Sequence, residues 1–317
     1  MTKNTKLDRN LALKMAKITE AAAIAAVKFA GTGEKEKGDG AAVDAMRAVL
    51  KTVNIKGTVI IGEGEKDEAP MLYNGEKVGS GNGMEVDIAV DPVEGTSLLA
   101  RGEPNSIAVI AMAEKGSMWN PGSSFYMNKI IVGKQAKEAI DITKSPTENL
   151  HNVAKALGKH INDLTVFVLD KKRHQGLIAE IGVVGAKVAL HAEGDVMGAL
   201  MAVIPDTGVD MLMGIGGTPE GVITAAAIKA LGGGMQGMRS PQFAEEKEAL
   251  KKEGVDLNQV LGLDDLIKSE DAFFAATGIT EGIFLDGVKS DEGKGIYTHS
   301  IVMDALNGSI RYIKTFH

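Results

Sequence analysis

Three features of the 317-residue sequence predict an α/β (α+β) fold class. Strand-like and helical segments alternate through its second half, as in sheets covered by helices. Two amphipathic helical patterns precede the first strand. The composition is 44% hydrophobic with only 4% aromatic residues, 39 glycines and 15 methionines, and such a core of Ala, Val, Ile, Leu and Met suits helices packed on sheets. At this length two domains or one large layered body is expected.

Taken in order, Leu11, Met15, Ile18, Ala22, Ala25 and Phe29 recur at steps of three and four, one face of a helix, closed by Gly31. The polar stretch GTGEKEKGDG reads as a loop, and a second helix follows on Val43, Met46, Leu50 and Val53. GTVIIGEGEKDEAP reads as a short strand running into an acidic turn. EVDIAVDP, SIAVIAMA and KIIVG read as three more strands. Beyond about residue 145 the strands LTVFVLD, KVALHAEGD and VDMLMGIGG are each followed by a helix: RHQGLIAEIG, VMGALMAV and TPEGVITAAAIKAL. That alternation predicts a mostly parallel sheet. Residues 243–253 read as a charged surface helix, and AFFAATGI, GIFLDGV, IYTHSIVMD and GSIRYIKTF as C-terminal strands. A soft boundary near 141–152 divides the chain into 1–145 and 146–317.

A net charge of −7 weighs against a nucleic-acid partner and leaves small anionic substrates open. The lack of cysteine excludes disulfides, thiolate nucleophiles and Cys-based metal sites and fits a reducing cytosol. Lys14, Lys17 and Glu20 interrupt the apolar N-terminal stretch, so it is not read as a signal peptide. No apolar run reaches the roughly 18 residues of a membrane span. A cytoplasmic protein with no membrane partner is expected.

Acid collects at strand ends and in glycine turns: Asp39 in KGDG, Glu63 and Glu65 in IGEGEKDE, Asp91 and Glu94 in DPVEGT, Glu220 in GGTPEG. Taken singly, each also reads as a turn former or helix cap. Together they carry a cost, because two carboxylates about 4 Å apart repel by roughly 4 kcal/mol at an effective dielectric of about 20. A cation among them would offset that cost, and an all-oxygen donor set favours Mg²⁺ or Mn²⁺ over zinc or copper. In VDPVEGTSLL, Pro92 fixes one backbone angle and Gly95 permits close approach. Thr96 then opens a helix with a hydroxyl and exposed amides able to face an anion. Thr218 reads as an N-cap and Pro219 as the first helical residue, which sets Glu220 in a first turn favoured by the helix dipole. In LDKKRH, Lys171, Lys172 and Arg173 follow a strand's carboxyl end, a place suited to an anion. Four basic or titratable groups at a helix start oppose its dipole, and Arg grips phosphate with paired hydrogen bonds.

These motifs carry a resemblance. The segment from IGEGEKDEAPMLYNGEKVG to VDIAVDPVEGTSLL closely resembles the class II fructose-1,6-bisphosphatases. They belong to the wider lithium-sensitive sugar and inositol phosphatases with their Asp-Pro-(Ile/Val)-(Asp/Glu)-Gly-Thr signature. KGDGAAVDAMR, LDKKRH, HAEGD and GIGGTPEGV fall in the family's order, and the likeness spans roughly residues 8–312. It implies a layered α-β-α-β-α sandwich of two tightly packed sub-domains, 1–145 binding metal and 146–317 binding the sugar phosphate. It implies Asp39, Glu63, Asp91, Glu94 and Glu220 as ligands of Mn²⁺ or Mg²⁺. Thr96 matches the catalytic threonine, as nucleophile or as orienter of the attacking water; Lys35 and Asp67 match positions near the reacting phosphate. Glu94, Gly95 and Thr96 also match substrate contacts. So do Tyr126, the basic run Lys171–Arg173 for the distal phosphate, Glu193, Gly194 and Asp195 for sugar hydroxyls, and Gly217. Relatives commonly have Asp where this chain has Glu193.

The implied activity is removal of the 1-phosphate of fructose 1,6-bisphosphate in gluconeogenesis by a homo-oligomer, dimer or tetramer. Sedoheptulose 1,7-bisphosphate or an inositol phosphate is the alternative substrate. A non-catalytic sugar-phosphate sensor is the alternative class, and it has no need of Thr96.

Overall fold

The structure is a computed structural model that describes residues 6–63, 72–291 and 295–317. In chain order it begins with α1 (Leu11–Ala26), α2 (Lys35–Leu50), β1 (Ile55–Ile61), β2 (Lys77–Val78), β3 (Met84–Glu94), α3 (Thr96–Arg101) and β4 (Ile107–Glu114). The middle holds β5 (Tyr126–Val132), α4 (Pro146–Leu157), β6 (Thr165–Leu169), α5 (Gln175–Val184), β7 (Lys187–His191), α6 (Asp195–Val203), β8 (Met211–Gly217) and α7 (Thr218–Leu231). After these come β9 (Gly234–Arg239), α8 (Ala244–Glu253), β10 (Leu261–Gly262) and α9 (Leu263–Leu266). The chain closes with β11 (Ala272–Gly278), β12 (Lys289–Asp291), β13 (Gly295–Asp304) and β14 (Ser309–Phe316). The mixed α/β class expected from the sequence is what forms, with two mixed sheets and helices packed on them.

Two compact units result, Met1–Trp119 with Ile267–His317, and Asn120–Leu266. They do not divide at residue 145. The C-terminal strands return to the first unit because β11 pairs with β4 along its whole length and β13 pairs in turn with β11. Without them β4 would be left as an open hydrophobic edge.

The first unit's sheet runs β12-β13-β11-β4-β3-β1-β2, with β14 on β13. β3 lies in its interior, parallel to β1 and antiparallel to β4. Val86–Val90 are therefore all buried, a continuous run rather than an alternation. Helices α1 and α2 cover one face through Met15, Ile18, Ala22 and Met46 against Ile88, Val90, Ile110 and Phe273. Two expectations change here. The stretch GTGEKEKGDG is helical from Lys35 onward. Its Lys and Glu residues favour helix, and buried Gly38 seats α2 against Leu99 of α3, where a Cβ would stand 3.0 Å from the Leu99 Cδ2. GIFLDGV forms no strand; it is irregular, with Leu285 buried and Gly287 packed so close to the Thr280–Glu281 backbone that a Cβ would overlap it.

The second unit's sheet runs β10-β9-β5-β8-β6-β7. Only β6 with β7 and β6 with β8 are parallel; β5 is antiparallel to both β8 and β9, and β9 to β10. The mostly parallel sheet expected from the alternation is thus parallel in only two of its five pairings, because β5, which precedes the alternating segment, enters in the opposite direction. Side chains alternate between the two faces. Val166, Val168, Met211 and Met213 pack under α4 and α5, while Phe167 points the other way, onto Gly198 of α6.

A buried histidine fastens the parallel part of this sheet. His174 Nδ1 donates to the Leu169 carbonyl (2.6 Å), and its Nε2 accepts from the Ile215 amide (2.8 Å). Both bonds belong to the neutral ring, and burial, the largest cause, pushes the pKa of His174 down. Below about pH 6.5 the unfolded chain takes up a proton that the folded ring resists, so the stability this group contributes is present above that pH and lost as pH falls. Urea titrations from about pH 8 to about pH 5.5 are expected to show stability declining toward acid, and less steeply in His174→Gln. Gly198→Ala is expected to destabilise the protein by about 1–3 kcal/mol in the same assay, since the new Cβ would overlap the fully buried Phe167 ring.

Candidate active site

In the first unit the candidate residues come from the carboxyl ends of two adjacent parallel strands. Ile61 of β1 pairs with Ala89 of β3. Glu63 and Asp91 each lie two residues further on, so the chain delivers both carboxylates to the same end of neighbouring strands, which are about 4.8 Å apart. Beyond Asp91 the ladder slips: Asp91 faces Val109 and Glu94 faces Ile107, three steps against two. This bulge accommodates Pro92, which has no amide to give, and the Asp91 carboxylate accepts the Val93 amide at 3.1 Å. Glu94 is 4% exposed and its carbonyl accepts the Ser106 hydroxyl at 3.2 Å. Gly95, with φ +82, occupies the left-handed region that lets the chain turn sharply into α3.

Gly95 is the N-cap of α3, so Thr96 is the first helical residue and not the cap. Its half-buried hydroxyl makes no hydrogen bond among the described residues. The capping role that a threonine could fill here is therefore not what occupies this one. Asp39 lies on α2 one residue past the Gly38 contact with Leu99, so its turn of helix packs against the helix that carries Thr96. Burial holds the Asp39 carboxyl above the ordinary carboxylate range; Lys35 pulls it back and Glu36 adds to the rise. Lys35 is exposed in the first turn of α2. Asp67 and Glu65 lie outside the described residues.

In the second unit the parallel strands β6, β7 and β8 each end in a predicted segment: Lys171–Arg173 after β6, Glu193–Asp195 after β7, Gly217 and Glu220 after β8. The carboxyl ends of parallel strands are where open α/β sheets bind ligands. Arg173 donates from Nε (3.0 Å) and Nη2 (2.8 Å) to the Ile215 carbonyl, and its guanidinium lies over the Tyr126 ring, 5.2 Å from the centroid. Tyr126 opens β5 directly across from Gly217 and meets Phe243 edge-on at 5.7 Å. Lys171 is half-buried and Lys172 exposed. Gly194, with φ +103, turns the chain into α6, and half-buried Glu193 precedes it. Helix α7 begins one residue earlier than expected, with Gly217 as N-cap and Thr218 inside the helix; the Thr218 hydroxyl instead meets Ser124 Oγ at 3.2 Å. Glu220 keeps its place in the first turn.

Sequence reasoning missed Lys129. This lysine of β5 is 2% exposed, pairs with the Asp195 carboxylate and donates to the Gly217 carbonyl at 2.7 Å. Burial and the Asp195 charge raise the Glu220 carboxyl, and Lys129 opposes them. The sequence carried no more than a lysine opening the apolar run KIIVG; the glycine pair Gly216–Gly217 comes beside it only through the pairing of β5 with β8. A Cβ at Gly216 would overlap the Asp195 carboxylate, and one at Gly217 the Glu220 carboxylate.

The candidate metal ligands are all carboxylates, a donor set that fits a hard divalent cation, and Gly217 leaves the room that Glu220 fills. Among the described residues, no three His, Asp or Glu side chains gather closely enough to hold an ion by themselves. No helix among those residues is long and apolar enough to cross a membrane.

The family model described as bacterial fructose-1,6-bisphosphatase, glpX-encoded, matches residues 9–317. Similar proteins include fructose-1,6-bisphosphatase 1 class 2 of Escherichia coli (strain K12) and the fructose-1,6-bisphosphatases class 2 of Escherichia coli O6:H1 and Shigella flexneri. Each is 45% identical over 322 aligned residues that cover 98% of this chain and 95% of the relative. With a match over residues 9–317 and 45% identity over 98% of its length, the chain belongs to the bacterial glpX-encoded fructose-1,6-bisphosphatase family.

Proposed function

We propose that this chain hydrolyses the 1-phosphate of fructose 1,6-bisphosphate, giving fructose 6-phosphate and phosphate, as a step of gluconeogenesis in the cytoplasm. The reading is carried by one observation: the segments assigned to the reacting end and to the distal end of a bisphosphate each close a parallel strand of their own sheet. The arrangement DPVEGT at the end of β3 supports the reacting end, and Lys171–Arg173 after β6 supports the distal phosphate. A homo-oligomer, dimer or tetramer, is part of the same proposal.

Asp39, Glu63, Asp91, Glu94 and Glu220 would hold Mn²⁺ or Mg²⁺, which neutralises phosphate charge when bound. The remaining roles fall to the chain itself. Thr96 offers a hydroxyl uncommitted to capping, either to attack phosphorus or to orient the water that does so. Gly95 lets the backbone turn close to the phosphate. Lys35 would offset developing charge, and Asp67 would order or deprotonate the nucleophile. Arg173, braced by the Ile215 carbonyl and the Tyr126 ring, would present its remaining N–H groups to the distal phosphate beside Lys171 and Lys172. Glu193, Gly194 and Asp195 would hold sugar hydroxyls, with Gly217 admitting the substrate against the backbone. Positioning and electrostatics do most of the work in such a phosphoryl transfer.

Activity on sedoheptulose 1,7-bisphosphate is the second reading, because a basic run recognises the distal phosphate without measuring the carbon chain. Phosphate release from fructose 1,6-bisphosphate, sedoheptulose 1,7-bisphosphate, fructose 6-phosphate and inositol monophosphate, with Mn²⁺ and with Mg²⁺, tests both. The bisphosphates are expected to turn over well and the monophosphates poorly; equal turnover of monophosphates overturns the bisphosphate assignment. Thr96→Ala is expected to lower kcat by at least about 10²-fold, with calorimetric binding of substrate retained. Thr96→Ser is expected to keep part of the rate. Full activity in Thr96→Ala removes the role. Exhaustive chelation is expected to abolish phosphate release, with recovery on adding Mn²⁺ or Mg²⁺; undiminished activity after chelation excludes the metal assignment.

A further inference from the structure

A buried lysine in the middle of an apolar strand demands an explanation that the roles above do not supply. Lys129 lies on β5 with 2% of its surface exposed. It is paired in register with Gly214 of β8, and its ammonium reaches along β8 to the Gly217 carbonyl, 2.7 Å away. Its stem passes Gly221 of α7, where a Cβ would come within 3.4 Å of Lys129 Cδ. The second partner of the ammonium is the Asp195 carboxylate, itself 7% exposed at the start of α6. The Glu220 carboxylate lies against the same Gly217 whose carbonyl the ammonium holds, so close that a Cβ there would overlap it. Two successive glycines make this packing possible, since side chains at Gly216 and Gly217 would occupy the positions of the Asp195 and Glu220 carboxylates. One cation thus stands with two carboxylates that belong to different elements, α6 and α7, and it is tied to the strand end between them.

We infer that Lys129 is a positioning residue that holds Asp195 and Glu220 together, so that the sugar-binding carboxylate and the metal-binding carboxylate depend on one buried ammonium. The inference rests on the reading in which Asp195 contacts sugar hydroxyls and Glu220 contacts metal. Removing the ammonium leaves the buried Asp195 carboxylate without its partner and beside half-buried Glu220, which costs far more than deleting a surface ion pair. It also frees Asp195 and Glu220 to move apart. Substitution of groups that orient metal ligands ordinarily weakens metal affinity about 10–100-fold. Replacing Asp195 by its neutral isostere removes one of the two charges, so the loss at Glu220 is repaired while the loss of the sugar contact is not.

The test uses full-length wild type, Lys129→Met, Asp195→Asn and the double variant. For each, thermal melting, Mn²⁺ binding by calorimetry without substrate, and the KM and kcat for fructose 1,6-bisphosphate are measured. Lys129→Met is expected to melt earlier, to bind Mn²⁺ about 10–100-fold more weakly and to raise KM. The double variant is expected to recover melting temperature and Mn²⁺ affinity to within about threefold of Asp195→Asn alone, with KM still raised; such recovery is the non-additivity of groups in direct contact. A Lys129→Met protein that melts earlier yet keeps wild-type Mn²⁺ affinity and KM shows a purely structural lysine and overturns the inference. If Lys129→Met does not fold, the double variant decides: Mn²⁺ affinity like that of Asp195→Asn supports the inference, and weak binding overturns it. Wild type that neither binds Mn²⁺ nor releases phosphate removes the functional reading first, and this inference with it. Wild type that does both while the variants behave additively removes the inference alone.

Discussion

Parallel pairing of strands is the constraint on which the candidate site depends. β1 beside β3 in one sheet, and β6 beside both β7 and β8 in the other, bring segments distant in sequence to common strand ends. Backbone groups there leave the ladder and become available to ligands or side chains. Every predicted site residue among the described ones, apart from those on α2 and Tyr126, lies in the last few positions of such a strand or follows it by a few. Tyr126 reaches the same end of the second sheet from the antiparallel strand β5, through its register with Gly217.

Charge at these ends is managed in two different ways. In the second unit the protein supplies its own cation: Lys129 offsets Asp195 and opposes the rise at Glu220, and Arg173 is braced by a carbonyl and an aromatic ring. In the first unit burial pushes the Asp39 carboxyl up and only exposed Lys35 pulls it back. A carboxylate in that setting would gain from a nearby cation. Neutral His174 adds strength without charge, joining the end of β6 to β8 directly beside the basic run.

Glycine governs how closely these groups can approach. Gly95 permits the reversal from β3 into α3, and Gly38 lets the turn of α2 that carries Asp39 settle onto Leu99 of the helix of Thr96. Gly216 and Gly217 are empty where Asp195 and Glu220 need space. A methyl group at any of these positions would move a carboxylate or a helix rather than merely crowd a surface, because interiors are packed to near-crystalline density.

Much of this was legible in the sequence. Helical periodicity, the apolar runs of β1, β3 and β4, and the alternation after residue 145 announce local structure, because side-chain burial repeats at 3.6 or 2 residues whatever the topology. DPVEGT, LDKKRH, HAEGD and GGTPEG announce chemistry, because few residue types can turn a chain and hold charge at once. Partner choice was not legible. The antiparallel entry of β5 and the return of β11 and β13 to the first unit are decided by long-range pairing, which local patterns do not encode. In GTGEKEKGDG the helix propensity of Lys and Glu is offset by its glycines, and the seat on Leu99 that decides for helix is a tertiary contact. The role of Lys129 was hidden for the same reason: in sequence it is one lysine at the edge of an apolar run. Only the register of β5 with β8, and the corner where α6 and α7 begin, make it the cation that two distant carboxylates share.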